Sequence, residues 1–138
     1  MSGKTWLAEF YPEIAREAAK RGIVAAGEHC LQKWLGFTPK ALKKHQLHFD
    51  RFSILDHEDK EVIHAGPYHC AYCQLSEDIS VGCEECPLAN VASYCFAQSS
   101  PYQEFIDTYD PSRLIAALRE ALVWAQTREE EANSSPGA

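Results

Sequence analysis

The chain has 138 residues, a formal net charge of -7, and ordinary hydrophobic and charged fractions of 46% and 24%. These values are typical of one small globular domain. No apolar run approaches the ~18 residues of a transmembrane helix, and the first residues lack the apolar core of a signal peptide. We therefore expect a cytoplasmic protein that does not span a membrane and keeps its thiols reduced.

Residues 13–35 are predicted to be mostly helical. Apolar side chains recur at helical spacing over residues 13–35, and Gly22 and Gly27 are expected to divide this stretch into pieces. A short helix is expected to follow Thr38, because threonine can cap a helix and Pro39 is tolerated in its first turn. The aromatic side chains of the N-terminal third are expected in the core rather than in a ligand cage: Trp6, Phe10, Tyr11 and Trp34.

A β-hairpin is predicted in the middle of the chain. Residues 48–55 have the composition of one strand, residues 56–60 form a polar turn, and residues 61–65 return as the second strand. A short helix over 88–96 is expected further on.

The C-terminal third carries two further helix starts. Ser100 and Asp110 each precede a proline, and the second start opens the clearest amphipathic helix of the chain. Glutamates at 129–131 suit a helix C-terminus badly, so we expect fraying there. The elements together predict an α+β fold, with one domain over residues 1–131, helices at both ends around the hairpin, a zinc-knuckle middle segment, and a disordered tail over 132–138.

Two CxxC pairs separated by nine residues are the most informative motif. Each pair puts two thiolates on one tight turn, and two pairs complete a tetrahedral shell of four sulfurs that suits zinc. Such a closed shell is structural, because it leaves no open position for catalysis. We therefore predict one Zn(II) per chain within residues 64–96, bound by Cys70, Cys73, Cys83 and Cys86.

Other uses of these residues stay open. Cys95 can replace one cysteine of the second pair or pack as a buried side chain, and His69 can supply a fourth ligand. A CxxC pair can also cycle between dithiol and disulfide, although no βαβ unit accompanies it here. A metal-dependent hydrolase would use His64 or His69 with Asp78, but no HExxH or comparable catalytic motif is present.

Charge is unevenly spread, at +3 over residues 1–50, -6 over 51–100 and -4 over 101–138. A zinc–thiolate shell would add about -2 to the middle segment. That segment would repel a phosphate backbone, so the charge disfavours nucleic acid and favours a protein partner. The predicted partner-binding residues are the acidic side chains of this segment: Asp56, Glu58, Asp59, Glu61, Glu77, Asp78, Glu84 and Glu85.

A basic face on the short helix after Thr38 is the opposite candidate. Helical spacing places three lysines together, and they would bind phosphate or simply be solvated. The candidate phosphate-binding residues are Lys40, Lys43 and Lys44, with Lys33, His45, His48 and Arg51 nearby.

Further residues accompany the two CxxC pairs: Pro87 and Leu88 follow the second pair, Cys95 stands alone, and Pro101 with Tyr102 comes shortly after. With these residues the segment resembles small cysteine-rich proteins encoded by bacteriophages and prophages. The resemblance covers about residues 30–107, including the stretch from Trp34 to Leu47. It implies a zinc-binding phage accessory protein in the cytoplasm of the bacterial host, and it assigns no catalytic residue.

The expected function is that of a non-enzymatic zinc protein acting through protein–protein contact with a host or phage protein complex. An acidic surface can mimic nucleic acid and occupy the basic channel of a host-defence complex of the CRISPR type. The alternative is a nucleic-acid-binding zinc regulator that uses the Lys40–Lys44 helix, and a metal-dependent hydrolase comes third.

Overall fold

The computed structural model describes residues 2–65, 69–72, 74 and 100–133, which form an α+β fold. Along the sequence, helices precede and follow a small antiparallel sheet. The predicted helix over 88–96 lies outside the described residues, as do residues 134–138 of the predicted tail. The elements are α1 (Ser2–Phe10), α2 (Ala15–Lys20), α3 (Ile23–Leu35), α4 (Pro39–Lys44), β1 (His48–Asp50), β2 (Ser53–Leu55), β3 (Glu61–His64), α5 (Pro101–Thr108) and α6 (Ser112–Asn133).

The two glycines of the first helical stretch have different roles. Gly22 separates α2 from α3 with a φ of 113°, a conformation that glycine adopts without steric cost. The predicted break at Gly27 is wrong, because this residue lies inside α3. A side chain there would meet the hydroxyl of Tyr72 at 2.5 Å, so Gly27 allows a close approach rather than a bend.

The predicted helix starts are confirmed by their hydrogen bonds. Thr38 Oγ1 and Ser100 Oγ each accept the backbone N–H three residues on, at 3.3 and 3.0 Å. Asp110 Oδ1 accepts the N–H two residues on, at 3.0 Å, and begins α6. These bonds satisfy amide groups that have no partner within the helix.

Helix α6 carries the predicted apolar face and is longer than expected. Leu114, Leu118, Ala121 and Ala125 are buried at helical spacing. The helix continues through the glutamates at 129–131 to Asn133, past the point where fraying was predicted. Its most extensive packing is against α3, so the two longest helices form the centre of the helical part.

The sheet is a three-stranded meander in the order β1–β2–β3. The predicted hairpin is confirmed for β2 and β3, in which Ile54 pairs with Ile63. The prediction of one strand over 48–55 is wrong, because the chain reverses at Arg51 and Phe52. Both have positive φ, at 50° and 70°, which is the backbone of a type I′ hairpin turn. Glycine and asparagine usually mark that turn, and neither occurs here.

An aromatic cluster, formed by Trp6, Trp34, Phe37, Phe49 and Phe105, joins helices from both ends to the sheet. Trp34 lies 4.4 Å from Phe37 and 5.0 Å from Phe105 between ring centroids, and Phe49 lies 4.8 Å from Phe105. Trp6 is fully buried and donates its indole N–H to the carbonyl of Gly36 at 2.8 Å. Burial of Trp6 and Trp34 confirms their predicted place in the core, and Phe10 and Tyr11 pack partly buried against it.

Candidate metal centre

The described residues of the cysteine segment, 69–72 and 74, pack against the core. Ala71 and Tyr72 are fully buried, and Gln74 donates its backbone N–H to the carbonyl of Cys70, as in one turn of helix. Cys70 is therefore held at the edge of the core. The other predicted ligands and the later acidic residues lie outside the described residues: Cys73, Cys83, Cys86, Cys95, Glu77, Asp78, Glu84 and Glu85.

A second cysteine lies beside Cys70. Cys30, on the buried face of α3, places its Sγ 3.8 Å from the Sγ of Cys70, and no disulfide joins them. Cys30 is not among the ligands predicted from the sequence. No spacing motif could have indicated it, because the two residues are 40 positions apart.

Gly27 and Tyr72 explain how the two sulfurs come together. The ring of Tyr72 occupies the space that a side chain at position 27 would fill, one helical turn before Cys30. The backbone N–H of Tyr72 donates to the sulfur of Cys30. The segment that carries Cys70 thus packs directly on α3.

Lys33 is fully buried next to the cysteine pair, so its predicted place near the basic face is wrong. Its ammonium donates to the carbonyl of His69 at 3.0 Å and lies 4.8 Å from the ring of Trp34. Among the described residues, the ion pairs do not include Lys33. A buried positive charge thus lies beside two sulfurs without a described carboxylate.

The surroundings shift the protonation of the nearby groups. Burial raises the pKa of the Cys30 thiol well above its usual value, the neighbouring Cys70 raises it further, and Lys33 acts in the opposite direction. Burial and Lys33 both lower the pKa of His69, which favours the neutral imidazole that metal ions bind.

Hydrogen bonding determines the tautomer of His69. Its Nδ1 lies 3.1 Å from the carbonyl of His64, which can only accept, so Nδ1 carries the proton. The lone pair is then on Nε2. A histidine ligand commonly donates its other N–H to a carbonyl in this way, so His69 has the form of a possible ligand. The hydrolase hypothesis gains nothing from this bond, because its acid, Asp78, lies outside the described residues.

The described residues alone do not complete a metal site. No group of three histidine, cysteine, aspartate or glutamate side chains in the described part of the chain is placed to hold a metal ion. Cys30 and Cys70 form a pair of sulfurs, which is half of a tetrahedral shell.

The three lysines of the predicted basic face are all exposed, and one of them is paired. Lys44 lies 3.0 Å from a carboxylate oxygen of Glu9. His45 is buried and lies 2.8 Å from the same oxygen and 2.8 Å from the hydroxyl of Thr5. These contacts connect α4 to α1, and Lys40 and Lys43 have no described ion pair.

Four of the predicted partner-binding residues lie in or beside the turn between β2 and β3. Asp56 has a structural role there, because its Oδ1 accepts the backbone N–H groups of Glu58 and Lys60 at 2.9 and 3.0 Å. These bonds lower the pKa of Asp56. Glu58, Asp59 and Glu61 are exposed and form the acidic turn, the name used below for these three residues.

Two of the three side chains of the acidic turn have basic neighbours. Glu58 lies 3.4 Å from the ammonium of Lys60, and Asp59 lies 3.2 Å from His48. Such exposed pairs are weak, so a partner can replace them at little cost.

Within the described ranges, no helix combines the length and apolar character needed to cross a membrane.

Comparison of the chain with protein-family models, curated proteins and solved structures finds no match. The resemblance to phage proteins stays a prediction.

Proposed function

We propose that the protein is a non-enzymatic zinc-binding protein that acts by contact with another protein. The observation that carries this proposal is the position of Cys70. Its segment is packed into the core through Ala71 and Tyr72, and its sulfur already lies beside a second sulfur. A metal ion bound there would connect the cysteine-rich part of the chain to the helical core.

Zinc in such a site has a structural role. Four protein ligands leave no open coordination position, so the ion supplies folding free energy rather than a reactive water. Structural zinc contributes on the order of 10–16 kcal/mol in small zinc modules near neutral pH. The cysteine-rich segment offers few large apolar side chains for a core of its own, which is the situation in which a metal is most useful.

The metal content of protein purified without added metal tests this part of the proposal. We expect one zinc per chain, with intense sulfur-to-cobalt charge-transfer absorption after cobalt substitution. Cys70→Ser should lose the zinc and melt at a lower temperature. Val123→Ser, at an exposed position on α6, serves as the control and should keep both. Protein without bound metal, or a cobalt spectrum without sulfur ligands, would overturn the zinc assignment.

The acidic turn supports contact with a basic protein surface. Its side chains are exposed on the β2–β3 hairpin, and residues 51–100 carry a net charge of -6. Complementary charge increases the rate and specificity of association. The resemblance to phage proteins suggests a host-defence complex as the partner, in which the acidic surface would occupy a nucleic-acid channel.

Binding to bacterial extract proteins at increasing salt tests the contact. We expect a partner that is retained at low ionic strength and released near 1 M salt, where the Debye length is ~3 Å. The triple charge reversal E58K/D59K/E61K should abolish retention. The control K40E/K43E, on the basic face of α4, should keep it. Binding that is insensitive to salt and to the triple reversal would contradict the acidic contact.

Nucleic-acid binding by α4 has less support. Lys40, Lys43 and Lys44 all face solvent, but Lys44 is paired with Glu9, and His45 and Lys33 are buried. The two exposed lysines of α4 that lack a described ion pair would make few phosphate contacts, and such binding is weak and easily removed by salt. Loss of binding in K40E/K43E, with retention in the triple reversal, would favour this alternative.

A further inference from the structure

We infer that Cys30 is a ligand of the metal ion that Cys70 binds, so that helix α3 supplies one sulfur of the metal centre. The inference rests on the proposed zinc site and changes its composition. The two CxxC pairs then do not form a closed shell by themselves, and the metal bridges the helical core and the cysteine-rich segment.

The distance between the two sulfurs fits a shared metal ion. Zinc–sulfur bonds of about 2.3 Å in a tetrahedral shell place two sulfurs about 3.8 Å apart. The observed separation of Cys30 Sγ and Cys70 Sγ is 3.8 Å. A disulfide would require about 2.0 Å. Two sulfurs in simple van der Waals contact lie at a similar distance, so the charge around them is the deciding observation.

Lys33 supplies that observation. Its ammonium is fully buried, and no described carboxylate neutralises it. Burial of an unpaired charge is costly. Two neutral thiols would leave the ammonium without a compensating charge among the described residues, whereas a zinc ion with three or four thiolates carries a net charge of about -1 or -2. Lys33 follows Cys30 by one helical turn and binds the carbonyl that immediately precedes Cys70, so it is placed to compensate both sulfurs.

Two backbone features support the same arrangement. The N–H of Tyr72 donates to the sulfur of Cys30, and such a bond is stronger to a thiolate than to a thiol. Gly27 leaves the space in which Tyr72 packs. Cys30 therefore lies where α3 packs directly against the cysteine segment. Gly27 on α3 and the backbone N–H of Tyr72 on the segment both contribute to this contact. The inference concerns Cys30 and Cys70, and His69 and the cysteines outside the described residues are the candidates for the other ligands.

Metal binding by Cys30→Ser tests the inference. The variant should bind zinc at least ten-fold more weakly than the unmodified chain, and its cobalt form should lose about a quarter of the charge-transfer intensity, one sulfur of a four-coordinate shell. Ala26→Ser is the matched control, because it adds a hydroxyl at another fully buried position of α3 without removing a sulfur.

Unchanged zinc affinity and cobalt intensity in Cys30→Ser would overturn the inference and leave the proposed zinc site intact. Absence of metal from the unmodified chain would instead overturn the proposed function itself.

Cadmium-substituted, unmodified protein provides a second test that does not depend on the variant folding. A through-bond ¹¹³Cd–¹H correlation to the β-protons of Cys30 is expected. Correlations to other cysteines without Cys30 would contradict the inference.

Discussion

Lys33 and Glu9 are charged residues in opposite environments. Lys33 is fully buried and donates to the carbonyl of His69, so its positive charge favours negatively charged groups beside it. Glu9 is partly exposed and accepts from Lys44 at 3.0 Å and from His45 at 2.8 Å. The hydrogen bond from Lys44, followed by that from His45, lowers the pKa of Glu9 below 4.5.

The pKa shift of Glu9 predicts a pH-dependent contribution to stability. A carboxyl whose pKa is lower in the folded state stabilises it above the unfolded pKa, and that stabilisation is lost as the pH falls through the folded value. Glu9→Gln should therefore melt at a lower temperature than the unmodified chain at neutral pH. The difference should shrink below about pH 4.5 and disappear in stronger acid.

Thermal melts across this pH range measure the effect. Glu120→Gln, on α6, is the control, because the ion pairs among the described residues do not include Glu120. A difference for Glu9→Gln that persists at low pH would show that lost packing, rather than charge, causes the destabilisation.

Among the secondary-structure elements, three helices begin with the same kind of capped first turn. α4, α5 and α6 each begin with an oxygen side chain that accepts a backbone N–H, followed by a proline. The cap of α5 is the most buried of the three. Ser100 is fully buried, and α5 places Phe105 in the aromatic cluster.

Removing the cap of α5 should destabilise the whole protein. Ser100→Ala leaves the N–H of Gln103 without its acceptor and should lower the free energy of unfolding by about 1 kcal/mol. Urea denaturation measures the change. Thr127→Ala, which removes an exposed hydroxyl from the middle of α6, should change stability by less than about 0.5 kcal/mol. Equal effects in the two variants would contradict a capping role for Ser100.

At the scale of the whole molecule, α3 is the element that connects the others. It packs against α2 and α6, contributes Trp34 to the aromatic cluster, and carries Cys30 and Lys33 beside the cysteine segment. Because the core and the candidate metal centre both include residues of α3, changes at the metal centre should alter the free energy of unfolding of the whole protein. The surface, in contrast, contributes the acidic turn and three solvent-facing lysines on α4.

Features that depend on neighbours within a few positions follow directly from the sequence. Helix starts at Thr38, Ser100 and Asp110, the buried face of α6, and the β2–β3 hairpin were all predictable for this reason. The failures at this range have a physical cause as well. The chain reverses at Arg51 and Phe52 with positive φ, although neither glycine nor asparagine, which normally mark such a turn, is present. Gly27 makes room for the side chain of Tyr72, which is distant in the sequence, and does not bend the helix.

Contacts between side chains that are distant in the sequence become visible only in the folded chain. Cys30 and Cys70 are 40 positions apart, and Lys33 and His69 are 36 apart. No periodicity or motif spacing records such pairs, because they depend on how α3 packs against a segment from another part of the chain. The CxxC pattern predicts the kind of chemistry, and the packing at Gly27 places Cys30 and the buried Lys33 beside Cys70.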